Sequence, residues 1–508
     1  MAGQARIMGA TLLGIEGVPI EVEVRISSQL PRIDIVGLPE AAVRESAARV
    51  RAAIQAIGLP FPDQRVTVNL APAALRKQGA GLDLAIAVGV LAAAGHLPAA
   101  GVEQVGLVGE LALDGRVRGV RGALVLASCL AEARCARVIV PEGNAAEASL
   151  LGERAPEIVG ALGPLVEALT TERRLGVASE TRATVATTHH PNLADVRGQA
   201  AAKRALLIAA AGGHGLLLRG APGAGKTLLA RCLPGILPPL APEEALEVAR
   251  IHDSVGLAVA RCEGLVRPFR APHHSASQAG LLGGGRAVGP GEVTLAHRGV
   301  LFLDELVEFQ RGTLESLRQV LEEGRVVLSR AEQRVTLPAR FQLIAAANPC
   351  PCGWWQSGVR DCRCDDNALA RYARRLSGPL LDRIDMHVHV RPVPFLDLDG
   401  PAMGDTSEEV RERVIGIRAL QSDRLAALGI PPGGRGNAAL PFENLTETTR
   451  TTRPALRVLA RAVDRLALSA RAAHRLLRVA RTIADLEGEA EVTPGCVAEA
   501  VGLRPRQD

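Results

Sequence analysis

Lys226 and Thr227 close an unbroken G-x-x-x-x-G-K-T, Gly220-Ala221-Pro222-Gly223-Ala224-Gly225-Lys226-Thr227. The apolar run Gly215-Leu216-Leu217-Leu218 before it reads as a short buried strand, and Leu228-Leu229-Ala230-Arg231-Cys232-Leu233 after it as the start of a helix. In that context the loop is a phosphate cradle. Its glycines let successive backbone N–H groups point into one concavity, and the helix N-terminus adds its positive dipole end. Lys226 then meets the β- and γ-phosphates of ATP, and Thr227 holds Mg²⁺ through its hydroxyl.

Two further strands deliver polar residues to the same chemistry. Gly299-Val300-Leu301-Phe302-Leu303-Asp304-Glu305 is a buried strand ending in two carboxylates. A doubly wound sheet collects its ligands at that end, so Asp304 is expected as the Mg²⁺ partner and Glu305 as the base that orients the attacking water. Phe341-Gln342-Leu343-Ile344-Ala345-Ala346-Ala347-Asn348 is a second such strand, with Asn348 placed to hydrogen-bond a γ-phosphate or the water. Between them Arg325 to Arg330 and Gln333 to Leu337 flank Ala331-Glu332 and read as a β-hairpin carrying Arg330 and Arg334.

Four of the nine cysteines fall in residues 350 to 364, as Cys350-Pro351-Cys352 and Cys362-Arg363-Cys364. Four thiolates in so short a stretch are a candidate Zn²⁺ site, although C-x-C is tighter than the usual C-x₂₋₄-C. Trp354 and Trp355 lie between the pairs, available to stack on bases or to cover a small local core. The adjacent histidines His189-His190, in a polar stretch, read as solvated, and His273-His274 have no cysteine or carboxylate at a matching metal-binding spacing.

The elements that must position these residues occupy a chain of 508 residues, long enough for several domains. Hydrophobic content of 47% excludes a largely disordered protein, and a net charge of +5 is compatible with nucleic acid without requiring it. The N-terminus lacks the pattern of a secretory signal, and the most apolar stretch, Leu84 to Ala94, is too short to span a bilayer. An odd number of cysteines with a local cluster reads as a reduced compartment, so a cytoplasmic protein without a membrane partner is expected.

Residues 1–170 alternate strands and helices: Ile20 to Ile26 has period two, Ala41 to Ile54 helical spacing, Arg65 to Leu70 a strand pattern, Leu82 to Ala94 a buried helix, and Val105 to Leu113 a strand. Residues 171–192 have no clear period and read as a linker. After the P-loop helix, the prolines from Pro234 to Pro242 are expected to break it. From about residue 396 the chain turns helical, over Ser407 to Leu428, Arg453 to Leu466, Ser469 to Leu486 and Pro494 to Val501.

Ile35-Val36-Gly37-Leu38-Pro39-Glu40, Val68-Asn69-Leu70-Ala71-Pro72 and Gly109-Glu110-Leu111 resemble the N-terminal domain of Mg-chelatase-like proteins, which is similar in fold to the Lon protease domain. Gly81 stands where that protease has its serine, and Leu124 near its lysine. Without a hydroxyl or an amine the acyl chemistry cannot run, so protease activity is rejected. With Pro268-Phe269-Arg270-Ala271-Pro272-His273-His274, Asn348-Pro349-Cys350-Pro351-Cys352-Gly353 and Leu376-Ser377-Gly378-Pro379-Leu380-Leu381-Asp382-Arg383-Ile384-Asp385, nearly the whole chain resembles the ComM/YifB family of Mg-chelatase-like AAA+ ATPases.

The resemblance implies an α/β multidomain protein. Residues 1–170 would be a Lon-like (S5-like) α+β domain without catalytic residues, 171–192 a linker, 193–395 an AAA+ P-loop core with a parallel sheet, and 396–508 an α-helical lid. It implies a segment Asp195-Val196-Arg197-Gly198-Gln199 near the adenine, Arg383 as an arginine finger reaching a neighbouring subunit, and Arg471 as a second sensor with Arg475 as the alternative. It further implies a homo-hexamer that moves branched or single-stranded DNA, promoting branch migration in natural transformation, with Arg330 and Arg334 facing the pore. A metal-chelatase motor subunit and a protein-remodelling chaperone are the alternative readings.

Overall fold

The computed structural model describes residues 3–178, 190–257, 267–285, 289–330, 333–375, 378–393, 404–430 and 436–504. The chain forms two compact units. One comprises Met1–Ala186, Ala241–Leu265 and Ala287–Pro290, the other Thr187–Leu240, Val266–Arg286 and Gly291–Asp508.

The first unit is built on seven strands: β1 (Gln4–Leu13), β2 (Glu16–Ser27), β3 (Arg32–Val36), β4 (Arg65–Ala71), β5 (Val105–Leu107), β6 (Arg137–Pro141) and β7 (Glu157–Val159), in the order β3-β4-β2-β1-β5-β6-β7. The period-two pattern in β2 buries Ile20, Val22, Val24 and Ile26 and turns the glutamates between them outward. Helix α1 (Ala41–Ala56) buries one stripe, whereas α2 (Asp83–Ala93) is apolar all round and buried along its whole length. Helices α3 (Ala123–Glu132) and α4 (Leu162–Thr170) complete the cover.

Three expectations are corrected here. The strand Val105 to Leu113 ends at Leu107, and Glu110–Leu111 pairs instead with Val117–Arg118. Gly109 makes the break: its N–H bonds the Gly81 carbonyl and its carbonyl accepts from Leu84, so it leaves the ladder. The stretch 171–178 is not free linker. Buried Glu157 accepts from Arg137 (2.7 Å), Arg174 (2.7 Å) and the Leu175 amide (2.8 Å), which ties the segment to β7. His189 lies outside the described residues, and His190 is half-buried. Lastly, the helix Pro242–Ser254 belongs to this unit rather than to the core around it in sequence. Its Asp253 accepts from the Leu124 amide at 2.9 Å and the Val125 amide at 3.3 Å, closing an α3 N-terminus whose cap is Gly122. Burial pushes that carboxyl up to about 6, against the pull of these amides.

At Gly81 an added Cβ would meet only Leu126 and Val108, and Leu124 is fully buried. Asp83 nearby is a structural acid: it accepts from Arg49 (2.6 Å), the Leu111 amide (3.2 Å) and Ser46.

The second unit holds five parallel strands: β8 (Leu216–Arg219), β9 (Phe269–Arg270), β10 (Val300–Leu303), β13 (Gln342–Ala347) and β14 (Met386–His389), in the order β9-β10-β13-β8-β14. The numbers between belong to the hairpin β11 (Arg325–Arg330) and β12 (Gln333–Pro338), with Arg330 opposite Gln333. Leu216 to Leu218 and Val300 to Leu303 are buried without alternation, as strands covered on both faces require. Helices α5 (Ala200–Gly212), α6 (Lys226–Ile236), α7 (Arg311–Glu323) and α8 (Asp366–Arg375) accompany the sheet.

Helix α6 ends within the proline-rich stretch Pro234 to Pro242, as expected. Pro234 sits in its last turn, and the helix ends at Ile236, with the C-cap Leu237 forced to extended backbone (ψ 149°) by Pro238 behind it. Four more helices, α9 (Ser407–Ala427), α10 (Arg453–Arg465), α11 (Ala470–Leu486) and α12 (Pro494–Gly502), share one aliphatic core with α5 and α6. Among the described residues no helix is long and apolar enough to cross a membrane.

Candidate active site

β8 ends at Arg219, and the chain turns through Gly220 to Gly225 into α6. A Cβ at Gly220 would stand 2.2 Å from the Val390 carbonyl oxygen, and Gly225 has φ +90°, so neither position accepts another residue without strain. Lys226 is folded back into the loop: its Nζ donates to the Gly220 and Ala221 carbonyls at 2.8 and 2.9 Å and to Asn348 Oδ1 at 3.1 Å. Burial lowers its pKa, while Asp304 and Glu305 pull it back up. Gln199, in the segment expected near the base, donates to the carbonyls of Ala224 (3.1 Å) and Arg391 (2.6 Å) and so braces the loop from outside.

The Thr227 hydroxyl donates to Asp304 Oδ2 at 2.8 Å. This pair of hard oxygen donors beside the loop fits Mg²⁺. Glu305 follows with its backbone in the left-handed region (φ 49°), which turns its side chain off the strand line. Thus Lys226, Thr227, Asp304 and Asn348 come together from three strand ends.

Sequence reasoning missed the partner of Glu305. Nδ1 of His274 lies 3.2 Å from Glu305 Oε2, both side chains partly exposed. His274 follows the short strand β9, which pairs with β10, and this pairing brings together residues 31 positions apart in the chain. His273 turns away to Ser275, 2.8 Å from Nδ1 to Oγ. The signal for this contact is the adjacency of the histidine-bearing strand to the acid-bearing one.

Arg383 and Arg471 meet elsewhere. Both bind one carboxylate oxygen of Glu322 on α7, at 2.6 and 3.0 Å. They line a cavity of about 470 Å³ with six further arginines, and its described lining contains none of Lys226, Thr227, Asp304, Glu305 or Asn348. Arg475 is held inside, by Asp385 Oδ1 at 2.6 Å and the Arg383 carbonyl at 2.7 Å. Arg334 is exposed on β12, while Arg330 ends β11; the joining residues 331–332 lie outside the described residues. Cys350, Cys352, Cys362 and Cys364 gather after β13, and the Arg360 guanidinium stacks 4.9 Å over the Trp354 ring.

The P-loop on a five-stranded parallel sheet, with an acid pair and a polar sensor at the neighbouring strand ends, defines a Mg-chelatase-like AAA+ fold. Signatures of the magnesium chelatase subunit ChlI match residues 192–398, 22–144 and, for its C-terminal part, 404–504. The chain is 42% identical over 498 residues to the competence protein ComM of Haemophilus influenzae, covering 97% of this chain and 96% of that one. It is 44% identical over 496 residues to YifB of Salmonella typhimurium, covering 97% and 95%. It therefore belongs to the ComM/YifB family. A shorter likeness, 31% over 225 residues and 39% of this chain, links it to the magnesium-chelatase 67 kDa subunit of Heliobacterium mobile.

Proposed function

We propose that this chain hydrolyses ATP in a homo-hexameric ring in the cytoplasm and uses the cycle to move branched or single-stranded DNA, as a branch-migration motor or helicase of recombination and natural transformation. The carrying observation is the separation of parts. Lys226, Thr227, Asp304, Glu305 and Asn348 gather at the P-loop, whereas Arg383 and Arg471 gather on Glu322 in a cavity whose described lining holds none of those five. Copies of the chain placed head to tail complete each other.

Within one subunit, Lys226 would exchange the Gly220 and Ala221 carbonyls for the β- and γ-phosphate oxygens. Bound Mg²⁺, held by Thr227 and Asp304, supplies neutralisation of the charge on those phosphates. Glu305 orients the attacking water and takes its proton, and Asn348 fixes the γ-phosphate side. His274 is a positioning residue that holds the Glu305 carboxylate aside between turnovers. The neighbour's Arg383 and Arg471, released from Glu322, meet the charge that develops on the transferred group. Zn²⁺ at the four cysteines has no part in the chemical step.

DNA as the substrate is supported by near full-length likeness to a competence protein and by the arginine-bearing hairpin β11–β12. The test is ATP hydrolysis with and without a four-way DNA junction, with strand products followed in parallel. Junction-stimulated hydrolysis and strand exchange, both lost in Lys226→Ala and Glu305→Gln, are expected. Hydrolysis indifferent to DNA and free of strand products would overturn the DNA assignment and favour a protein remodeller or a chelatase-type motor, the reading that the Heliobacterium likeness favours.

A further inference from the structure

We propose that Cys350, Cys352, Cys362 and Cys364 bind one Zn²⁺ as four thiolates, and that the resulting knot fixes Asn348 and the P-loop relative to each other. Three of the sulfurs already stand at the spacing of a tetrahedral site, with the fourth beside them. Sγ of Cys350 is 3.4 Å from that of Cys352 and 3.7 Å from that of Cys362, and Cys352 to Cys362 is 3.6 Å. All four lie within 4.8 Å of one another. Four ligands about 2.3 Å from a zinc centre have sulfur–sulfur edges of about 3.8 Å, whereas a disulfide requires about 2.05 Å. The tight C-x-C spacing is no obstacle, because the two pairs approach from opposite ends of one loop.

The loop has little buried core of its own. Between Cys350 and Cys364 only Cys350 and Gly353 are buried, and the apolar Val359 is 56% exposed. A stretch without a core of its own folds around something else, and closed four-thiolate metal sites do this for small modules. The Trp355 amide donates to Cys350 Sγ at 3.3 Å, the hydrogen bond a metal-bound thiolate takes from its own turn.

The knot touches the nucleotide machinery on three sides. Cys350 follows Asn348 by two residues, and Asn348 Oδ1 accepts from Lys226. Gly353, at φ +83°, packs so closely on the P-loop that a Cβ there would stand 2.6 Å from Pro222 Cδ. Helix α8 begins two residues after Cys364, and its buried Tyr372 donates to the Asn348 carbonyl at 3.2 Å. With four protein ligands the metal has no open position, so its role is to hold and not to react.

Metal binding stands alone; its effect on turnover rests on the ATPase reading. The test begins with the zinc content of the full chain purified without metal-affinity resin or chelator. About one zinc per chain is expected, released by an organomercurial and replaceable by Co²⁺ with thiolate-to-cobalt absorption. Cys362→Ser with Cys364→Ser should lose both metals. Gly353→Ala keeps all four thiolates, so it should keep the zinc while raising KM for ATP about tenfold through the clash with Pro222. Background zinc together with no cobalt–thiolate absorption in the wild type overturns the metal site. Zinc bound, with Gly353→Ala and mercurial-treated protein turning over ATP like the untreated wild type, overturns the coupling. Zinc bound by a wild type with no ATPase activity would sink the functional reading and leave the metal site standing.

Discussion

At the scale of single residues, the contact that decides most is His274 against Glu305. A partly exposed pair of this kind contributes about 1 kcal/mol, roughly a fivefold bias between a held and a released carboxylate. If His274 holds the base aside, His274→Ala should raise ATP hydrolysis in the absence of DNA about fivefold and shrink the stimulation by DNA. Steady-state rates measured with and without a junction check this. A fall of tenfold or more in the variant would show instead that His274 holds Glu305 in its working position. This contact was not legible in the sequence, whereas Lys226, Thr227 and Asp304 were. The P-loop is written in consecutive residues because one backbone turn makes it. The His274–Glu305 pair depends on which strand lies beside β10, and strand order is set by helix packing far along the chain.

Elements were legible where one periodicity ran without interruption, as in β2, α2, β8, β10 and the helices after residue 407. They were misread where a tertiary contact overruled the local pattern, as at Gly109, which leaves the sheet for Gly81 and Leu84. The polar centre of the C-terminal helices was hidden for the same reason. Asp485 on α11 accepts from Arg424 at 2.8 Å, Arg481 at 3.0 Å and Asn437 at 2.7 Å, joining α9, α11 and the segment before α10. Burial alone would raise its pKa, but Arg424 and Arg481 outweigh it and hold it below the usual carboxylate range. Its stabilisation is therefore present above the unfolded value near 4 and lost as pH falls below that. Asp485→Ala, which strands Arg481 in the core, should destabilise these helices by about 3–5 kcal/mol at neutral pH. Amide exchange over Ala470–Leu486 should report it, with the gap to wild type narrowing below about pH 4. A gap independent of pH would place the effect in packing and not in charge.

At the scale of the whole molecule, the separation of Arg383 and Arg471 from Lys226 becomes a statement about assembly. Both arginines are gathered by Glu322 on one face, and no described residue of the phosphate site shares their cavity. In the proposed head-to-tail ring the face of one subunit would meet the cradle of the next, and a working site would take its lysine and its arginine from different chains. Arg383→Ala should then lower kcat by about 10³-fold or more, as loss of an arginine supplied to phosphoryl transfer does, with nucleotide binding retained. Lys226→Ala should be inactive as well. Mixed and allowed to exchange subunits, the two dead proteins have a distinct prediction. An Arg383→Ala subunit contributes an intact cradle, a Lys226→Ala neighbour an intact arginine, and random assembly joins them correctly at about a quarter of the interfaces. Hydrolysis should reappear at up to about that fraction of the wild-type rate per subunit, peaking at an equal mixture. Sites completed within one chain give no recovery at any ratio. Subunit exchange, followed by fluorescence transfer between labelled copies, ensures that a flat result counts against the shared site.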